Sequence, residues 1–292
     1  DRTISARQAK IGAGWTGRKS VNPIAAWRIR NRRRPLWILR RVGHRLGSMA
    51  ETKVRLFVDQ ALAAGQPVAL NADQAHYLFS VMRLGVGDVI ALFNGRDGEW
   101  RAEVAEAGRR NGILMPQQPS APLRMPPDLW LLFAPIKKAR TDFIVEKAVE
   151  LGAARIQPVQ TRHTNAERIR QDRMQAHALE AAEQCGATYV PEVAELVTLD
   201  RLLAKWPAGR RLLWCDETLA GRGIALTATA GKRGAPWAIL IGPEGGFAED
   251  EKHRLRAMPD VMPISLGPRI LRADTAAVAA LTLWQANLGD WE

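Results

Sequence analysis

The sequence predicts an α/β protein of two domains: a small β-rich domain, then a larger one with a mostly parallel sheet. Three observations predict it. Residues 54–105 carry short alternating runs separated by turn signals. Residues 118–127 hold four prolines, which reads as a linker and places the boundary near residue 125. From residue 129 onward, apolar runs alternate with helical periodicities. With 292 residues and 47% apolar content the chain has material for two cores.

Residues 54–58 form the first expected strand. A helix over 72–82 follows, with Ala75, Leu78, Phe79 and Met82 at helical spacing. Residues 89–93 make a second strand, and Asn94-Gly95-Arg96-Asp97-Gly98 turns it into 100–105 as a hairpin. Beyond the linker, 129–134 is apolar without interruption, as a strand buried on both faces requires. The helix over 141–151 sets Ile144, Ala148 and Leu151 on one face, and Gly152 stops it. Strands at 155–159, 211–215, 237–241 and 261–265 and helices at 167–185, 250–258 and 275–288 complete the alternation. Lys147 and Glu150 read as a helix-surface pair. No apolar run approaches the roughly 18 residues of a membrane span. Cys185 and Cys215 cannot build a disulfide framework or zinc site alone and read as buried small apolar residues. No CxxC, HExxH or P-loop pattern occurs, so no metal site is expected.

Charge divides the chain. Residues 1–48 hold 13 Lys or Arg and the single acid Asp1, a net +12. The remaining 29 basic and 29 acidic side chains cancel, so any nucleic-acid contact of the body needs a local patch. The tail interleaves Arg32, Arg33 and Arg34 with Trp27 and Trp37, as a phosphate-gripping arm or an organelle-targeting sequence would. The simpler reading, favoured here, is upstream sequence preceding a start at Met49 and lying outside the native fold. A secretory signal is excluded by the shortness of its apolar stretch at 36–39. Gly12-Ala13-Gly14-Trp15-Thr16-Gly17 matches a dinucleotide fingerprint, yet no strand precedes it and no acid follows before Glu51.

Ligands of open parallel sheets bind beyond the carboxyl ends of strands, and two such ends carry unusual loops. Strand 237–241 runs into Gly242-Pro243-Glu244-Gly245-Gly246, where glycines allow close backbone approach. Taken alone, this is equally an ordinary strand-to-helix turn. Residues 266–275 open the last helix and bring Arg269, Arg272 and Asp274 to its N-terminus, suited to an anion or developing negative charge. The commoner use is a cap by Asp274 with solvated arginines.

Together, LIGPEGGF (240–247) and SLGPRILRADTA (265–276) resemble the ribosomal RNA small subunit methyltransferase E family, of the SPOUT class. The resemblance extends through FIVEKAVELG (143–152), AAEQCGATYV (181–190) and the front-domain residues Arg55, His76 and Val81-Met82-Arg83, and spans 52–290. Two positions depart from the pattern: Ala187, where the family usually has Arg, and Asp274, where it often has Glu.

The resemblance implies a PUA-like β-barrel over 49–125 for RNA and a SPOUT-type α/β domain over 126–292 that is trefoil-knotted, dimerises and binds S-adenosyl-L-methionine. It implies methylation of N3 of a uridine in 16S ribosomal RNA, with the assembled subunit as the expected partner, in the cytoplasm. Cofactor contacts are then expected from Ile241, Gly242, Pro243, Glu244, Gly245, Gly246, Leu266, Gly267, Arg269, Ile270 and Leu271. Glu244 and Asp274 are alternative bases for the N3 proton, and Arg272 or Arg269 would stabilise the anion. Arg55, His76, Arg83, Lys138 and Arg140, with Lys137, are the RNA-binding candidates. The competing class is a non-catalytic RNA-binding or ribosome-assembly factor. Whether the two glycine loops bind the cofactor separates the two.

Overall fold

The computed structural model describes residues 54–165, 169–222 and 233–291. The tail over 1–48, with its fingerprint-like glycines and Met49, lies outside them. The front sheet has five strands in the order β1-β3-β4-β5-β2: β1 (Arg55–Phe57), β2 (Val68–Ala69), β3 (Val89–Phe93), β4 (Glu99–Ala107) and β5 (Gly112–Ala121). β1 runs parallel to β3 and the other pairings are antiparallel. Val58, Leu70, Leu78, Ile90, Leu92, Val104 and Leu114 fill its core.

The helix expected over 72–82 is present but changes pitch. Asn71 caps α1 (Ala72–Ala75) by accepting the Gln74 N–H at 2.8 Å, and the chain continues as a π-turn over His76–Val81. The Met82 N–H then reaches the Tyr77 carbonyl at 2.9 Å, and Arg83 follows with φ +58. Such wide turns recur at functional sites.

The linker expected over 118–127 is corrected: residues 118–121 belong to β5. Proline cannot donate to a ladder, so it survives in strands at edges and bulges. Both conditions hold here. β2 pairs with Ile113 and Leu114, so among the described residues no strand covers that edge of the later β5, where the Pro116 carbonyl accepts the Gly65 N–H at 2.8 Å, and the β4–β5 register shifts between Glu99 and Trp100 and between Arg101 and Ala102, opposite Pro119 and Pro116.

The second sheet is wholly parallel, in the order β12-β10-β11-β6-β7-β8, with β9 also on β7. Its strands are β6 (Leu129–Phe133), β7 (Arg155–Gln160), β8 (Glu192–Val193), β9 (Val197–Thr198), β10 (Arg211–Cys215), β11 (Trp237–Ile241) and β12 (Val261–Ile264). Alternation assigns the faces. Leu131, Phe133, Leu213, Ile239 and Ile241 pack under α2 (Lys138–Glu150), α3 (Gln171–Cys185) and α6 (Ala273–Leu288). Leu132, Leu212, Trp214 and Leu240 face the opposite layer, with Leu199 from α4 (Leu199–Ala204) and Leu255 from α5 (Glu249–Ala257).

Two further expectations change. α3 begins at Gln171, because Arg170 before it is extended; residues 166–168 lie outside the description. Cys185 is exposed at the end of α3, while Cys215 is buried as expected. Lys147 and Glu150 do pair, at 2.6 Å.

Arg55 joins the two lobes. Its Nε donates to Glu99 at 2.7 Å, Nη1 to the Ala182 and Glu183 carbonyls at 2.6 and 2.9 Å, and Nη2 to the Ala187 carbonyl at 2.8 Å. The guanidinium also lies 4.4 Å from the Phe93 ring centroid. Phe57 N–H donates to Glu183 Oε1 at 2.8 Å. With four of its five N–H groups engaged within the chain, Arg55 acts as a clasp between the lobes.

Candidate active site

A cavity of about 470 Å³ opens where the loops after β6, β10, β11 and β12 converge, at the carboxyl ends of the parallel strands. Ile241, Ile264, Leu266, Leu271 and Ala276 supply apolar wall. The size and mixed lining suit one cofactor-sized ligand.

Each loop is shaped by glycine. Gly246 adopts φ +66, and a Cβ there would lie 2.3 Å from Glu217 Oε1. A Cβ on Gly242 would sit 2.6 Å from the Phe247 ring, which is buried and packs edge-on against Trp214 with centroids 5.8 Å apart. Gly267 has φ +119, and its carbonyl accepts the Gly221 N–H at 3.1 Å, tying the loop after β12 to the loop after β10.

The charges are arranged in pairs. Arg140 Nη1 donates to Glu244 at 2.8 Å while its Nε lies 3.7 Å from Asp274. Asp274 Oδ1 also accepts the Thr275 N–H at 2.9 Å. Asp216 is buried; it accepts from Thr218 N–H at 3.0 Å and Thr218 hydroxyl at 2.7 Å, with Arg256 at 3.3 Å. Glu217 lies 3.9 Å from Lys252, whose ammonium is held protonated above the ordinary lysine range, chiefly by its hydrogen bond to Glu249. Burial pushes the Cys215 thiol up to about 12, so it contributes apolar wall and no thiolate.

The structure brings most of the expected cofactor set together. Ile241, Gly242, Pro243, Glu244, Gly246, Leu266, Gly267, Arg269, Ile270 and Leu271 all line this cavity, as does Arg272. Gly245 does not: it points the other way, where a Cβ would meet His163 Cβ at 3.3 Å. Asp274 stands behind Arg140 instead of on the wall. Arg140, expected as an RNA contact, lines the cavity itself, with its Nη1 bonded to Glu244. Lys138 is exposed, and His76 and Arg83 are exposed at the two ends of the π-turn. The sequence reading missed Cys215, Asp216 and Glu217. They close β10, so the strand-end rule that found the other loops could have found them.

A second cavity, of about 800 Å³, adjoins the first and shares Lys137, Pro243 and Glu244 with it. Lys138, Asp142, His163, Arg170 and Arg173 stand around it.

Comparison with known proteins agrees with this layout. A family model described as an RNA methyltransferase domain matches residues 124–285, and one described as an RNA methyltransferase PUA domain matches 70–114. The ribosomal RNA small subunit methyltransferase E of Rickettsia conorii is 31% identical over 229 residues, 78% of this chain and 93% of its own. This chain belongs to the ribosomal RNA small subunit methyltransferase E family. A methyltransferase of Legionella pneumophila, solved with bound S-adenosylmethionine, superposes with a TM-score of 0.74 at 26% identity, covering 82% of this chain and all of that one. The methyltransferase E of Neisseria gonorrhoeae, also bound to S-adenosyl methionine, gives 0.71 at 26% identity over 82% and 99%. The expected fold, a PUA-like front domain with a SPOUT-type α/β domain behind it, is therefore the fold of this methyltransferase E family member.

Proposed function

We propose that this chain transfers the methyl group of S-adenosyl-L-methionine to N3 of a uridine in small-subunit ribosomal RNA. The carrying observation is the cavity at the strand ends, lined by the loops after β11 and β12 that the resemblance assigns to the cofactor. Its fit is chemical. Gly242 and Gly267 both line the cavity with bare backbone, the apolar wall suits an adenine, and Glu217 and Glu244 suit cationic groups. When bound, S-adenosylmethionine supplies an electrophilic methyl group. The chain orients and screens it: Phe247 and Trp214 brace the first loop, and Arg140 holds Glu244 and Asp274 in place. Arg272 and Arg269, exposed at the mouth of this cavity, are in this reading the cations that stabilise negative charge developing on the uracil carbonyl oxygens.

N3 lies on the pairing edge, so the target uridine is single-stranded or flipped out. His76, Arg83 and Lys138 carry the RNA contacts in this reading, and Arg83 follows the exposed Val81 and Met82. The front domain over 49–125 holds RNA and the domain over 126–292 performs transfer. The reading includes a trefoil knot, a homodimer through the second domain, the assembled subunit as substrate and a cytoplasmic location. Among the described residues no helix is long and apolar enough to cross a membrane.

The test is incubation of the full chain with labelled S-adenosylmethionine and unmodified small ribosomal subunits, followed by nucleoside analysis. Label is expected as N3-methyluridine. Cofactor binding without label in that nucleoside refutes the assigned reaction. Loss of cofactor binding as well makes the non-catalytic RNA-binding factor the better reading.

A further inference from the structure

Transfer to uracil N3 needs an acceptor for the imide proton, and Glu244 and Asp274, the two carboxylates expected as bases, are already engaged by Arg140. A different group is placed for the task. His163 sits on the loop after β7 with its Nδ1 at 3.0 Å from the Gly245 carbonyl and 3.2 Å from the Gly246 carbonyl. A carbonyl oxygen only accepts, so Nδ1 carries the proton and donates to that pair. The neutral ring then has its lone pair on Nε2, which makes no hydrogen bond among the described residues. This ring lines the second cavity, which shares Pro243 and Glu244 with the cofactor cavity.

We propose that His163 is the general base of this enzyme, its Nε2 accepting the N3 proton of a uridine seated in the second cavity. The inference rests on the function proposed above. The proton passes from N3 to Nε2 and the N–H pair stays on N3. That pair forms the bond to the methyl carbon as the carbon–sulfur pair departs with sulfur, and the imidazolium returns its proton to water. The same lone pair selects the base, because uracil offers a donor at N3 where cytosine offers an acceptor. The surroundings favour a nucleotide. Lys137 and Lys138 stand around the cavity as cations, Arg170 is paired with Asp172 and Arg173 with Asp142, and Glu244 is held by Arg140. The backbone bond serves a second purpose: it fixes the ring on the glycine loop that also borders the cofactor, so base and methyl donor share one support.

Two measurements test the proposal. Nitrogen-15 NMR of the ligand-free protein reads the tautomer directly; a protonated Nδ1 and bare Nε2 are expected, and the opposite tautomer overturns the proposal. His163→Asn keeps a donor for the carbonyls and removes the Nε2 lone pair. It is expected to keep cofactor affinity within threefold and its melting temperature, while kcat falls by about 10²–10⁴-fold, the usual share of a general base. In His163→Ala, imidazole in the buffer is expected to restore part of the lost rate, which support of the loop alone would not allow. A His163→Asn variant with kcat within threefold of the parent overturns the base assignment, and so does loss of cofactor affinity in step with kcat. If the parent chain itself makes no N3-methyluridine, the proposed function fails and this inference with it.

Discussion

Arg55→Ala separates a clasp from an RNA contact, and its magnitude follows from the geometry. The side chain is 14% exposed and its partner Glu99 16%, so solvent replaces little of what is lost. Removing the guanidinium leaves three carbonyls near the end of α3 and one carboxylate without their donor, and removes the cation from the Phe93 ring. Hydrogen bonds from a charged donor contribute about 1.5–3 kcal/mol each, but they share one group and the carbonyls recover some water, so the sum is far below four such bonds. About 3 kcal/mol is the expected loss, in line with breaking one partner of a buried pair. For a body of this size that corresponds to a melting temperature lower by about 6–12 °C. Arg55→Lys restores less than half, since one ammonium cannot reach a carboxylate and three carbonyls in a forked arrangement. The assay is urea unfolding of both variants beside RNA binding at two salt concentrations. A stability loss below about 0.5 kcal/mol, together with weakened and less salt-dependent RNA binding, would refute the clasp and return Arg55 to the RNA surface.

Two other perturbations address the cofactor loop and the lobe contact. Gly246→Ala puts a methyl group 2.3 Å from Glu217 Oε1 at a backbone φ of +66. About 1–2 kcal/mol of stability and at least tenfold in S-adenosylmethionine affinity by calorimetry are the expected losses; unchanged affinity would remove the loop from the cofactor site. Glu183 has its pKa raised, first by desolvation at the lobe contact, against the Phe57 N–H bond that lowers it. A raised carboxyl favours the folded state below the unfolded pKa and loses that contribution as pH rises through the folded one. Glu183→Gln is therefore expected to be more stable than the parent near neutrality, with the gap closing as pH falls through the raised carboxyl pKa towards the ordinary glutamate range; a gap that widens on acidification contradicts this.

The legible parts of the fold share a physical cause. β6, β10 and β11 are buried on both faces, so burial dictates composition at consecutive positions and leaves a continuous apolar signal. β2, β8 and β9 are two residues each, shorter than any period a sequence can display. β5 was obscured by Pro116 and Pro119, whose cost is invisible without knowing which edge is uncovered. The site divides in the same way. Its glycine loops were legible because each follows a strand end and needs backbone geometry only glycine supplies cheaply. Roles set by distant partners were not. Arg140 meets Glu244 across 104 residues and Arg55 meets Ala182 across 127, and nothing local tells an arginine bound to a carboxylate or a carbonyl from one that awaits a phosphate. His163 is the sharpest case. Its neighbours in sequence say nothing of proton transfer, and only the carbonyls of Gly245 and Gly246, 82 and 83 residues away, decide which ring nitrogen keeps a lone pair. A titratable side chain acquires its chemical role from the one hydrogen bond that fixes its tautomer, and that bond is a property of the fold.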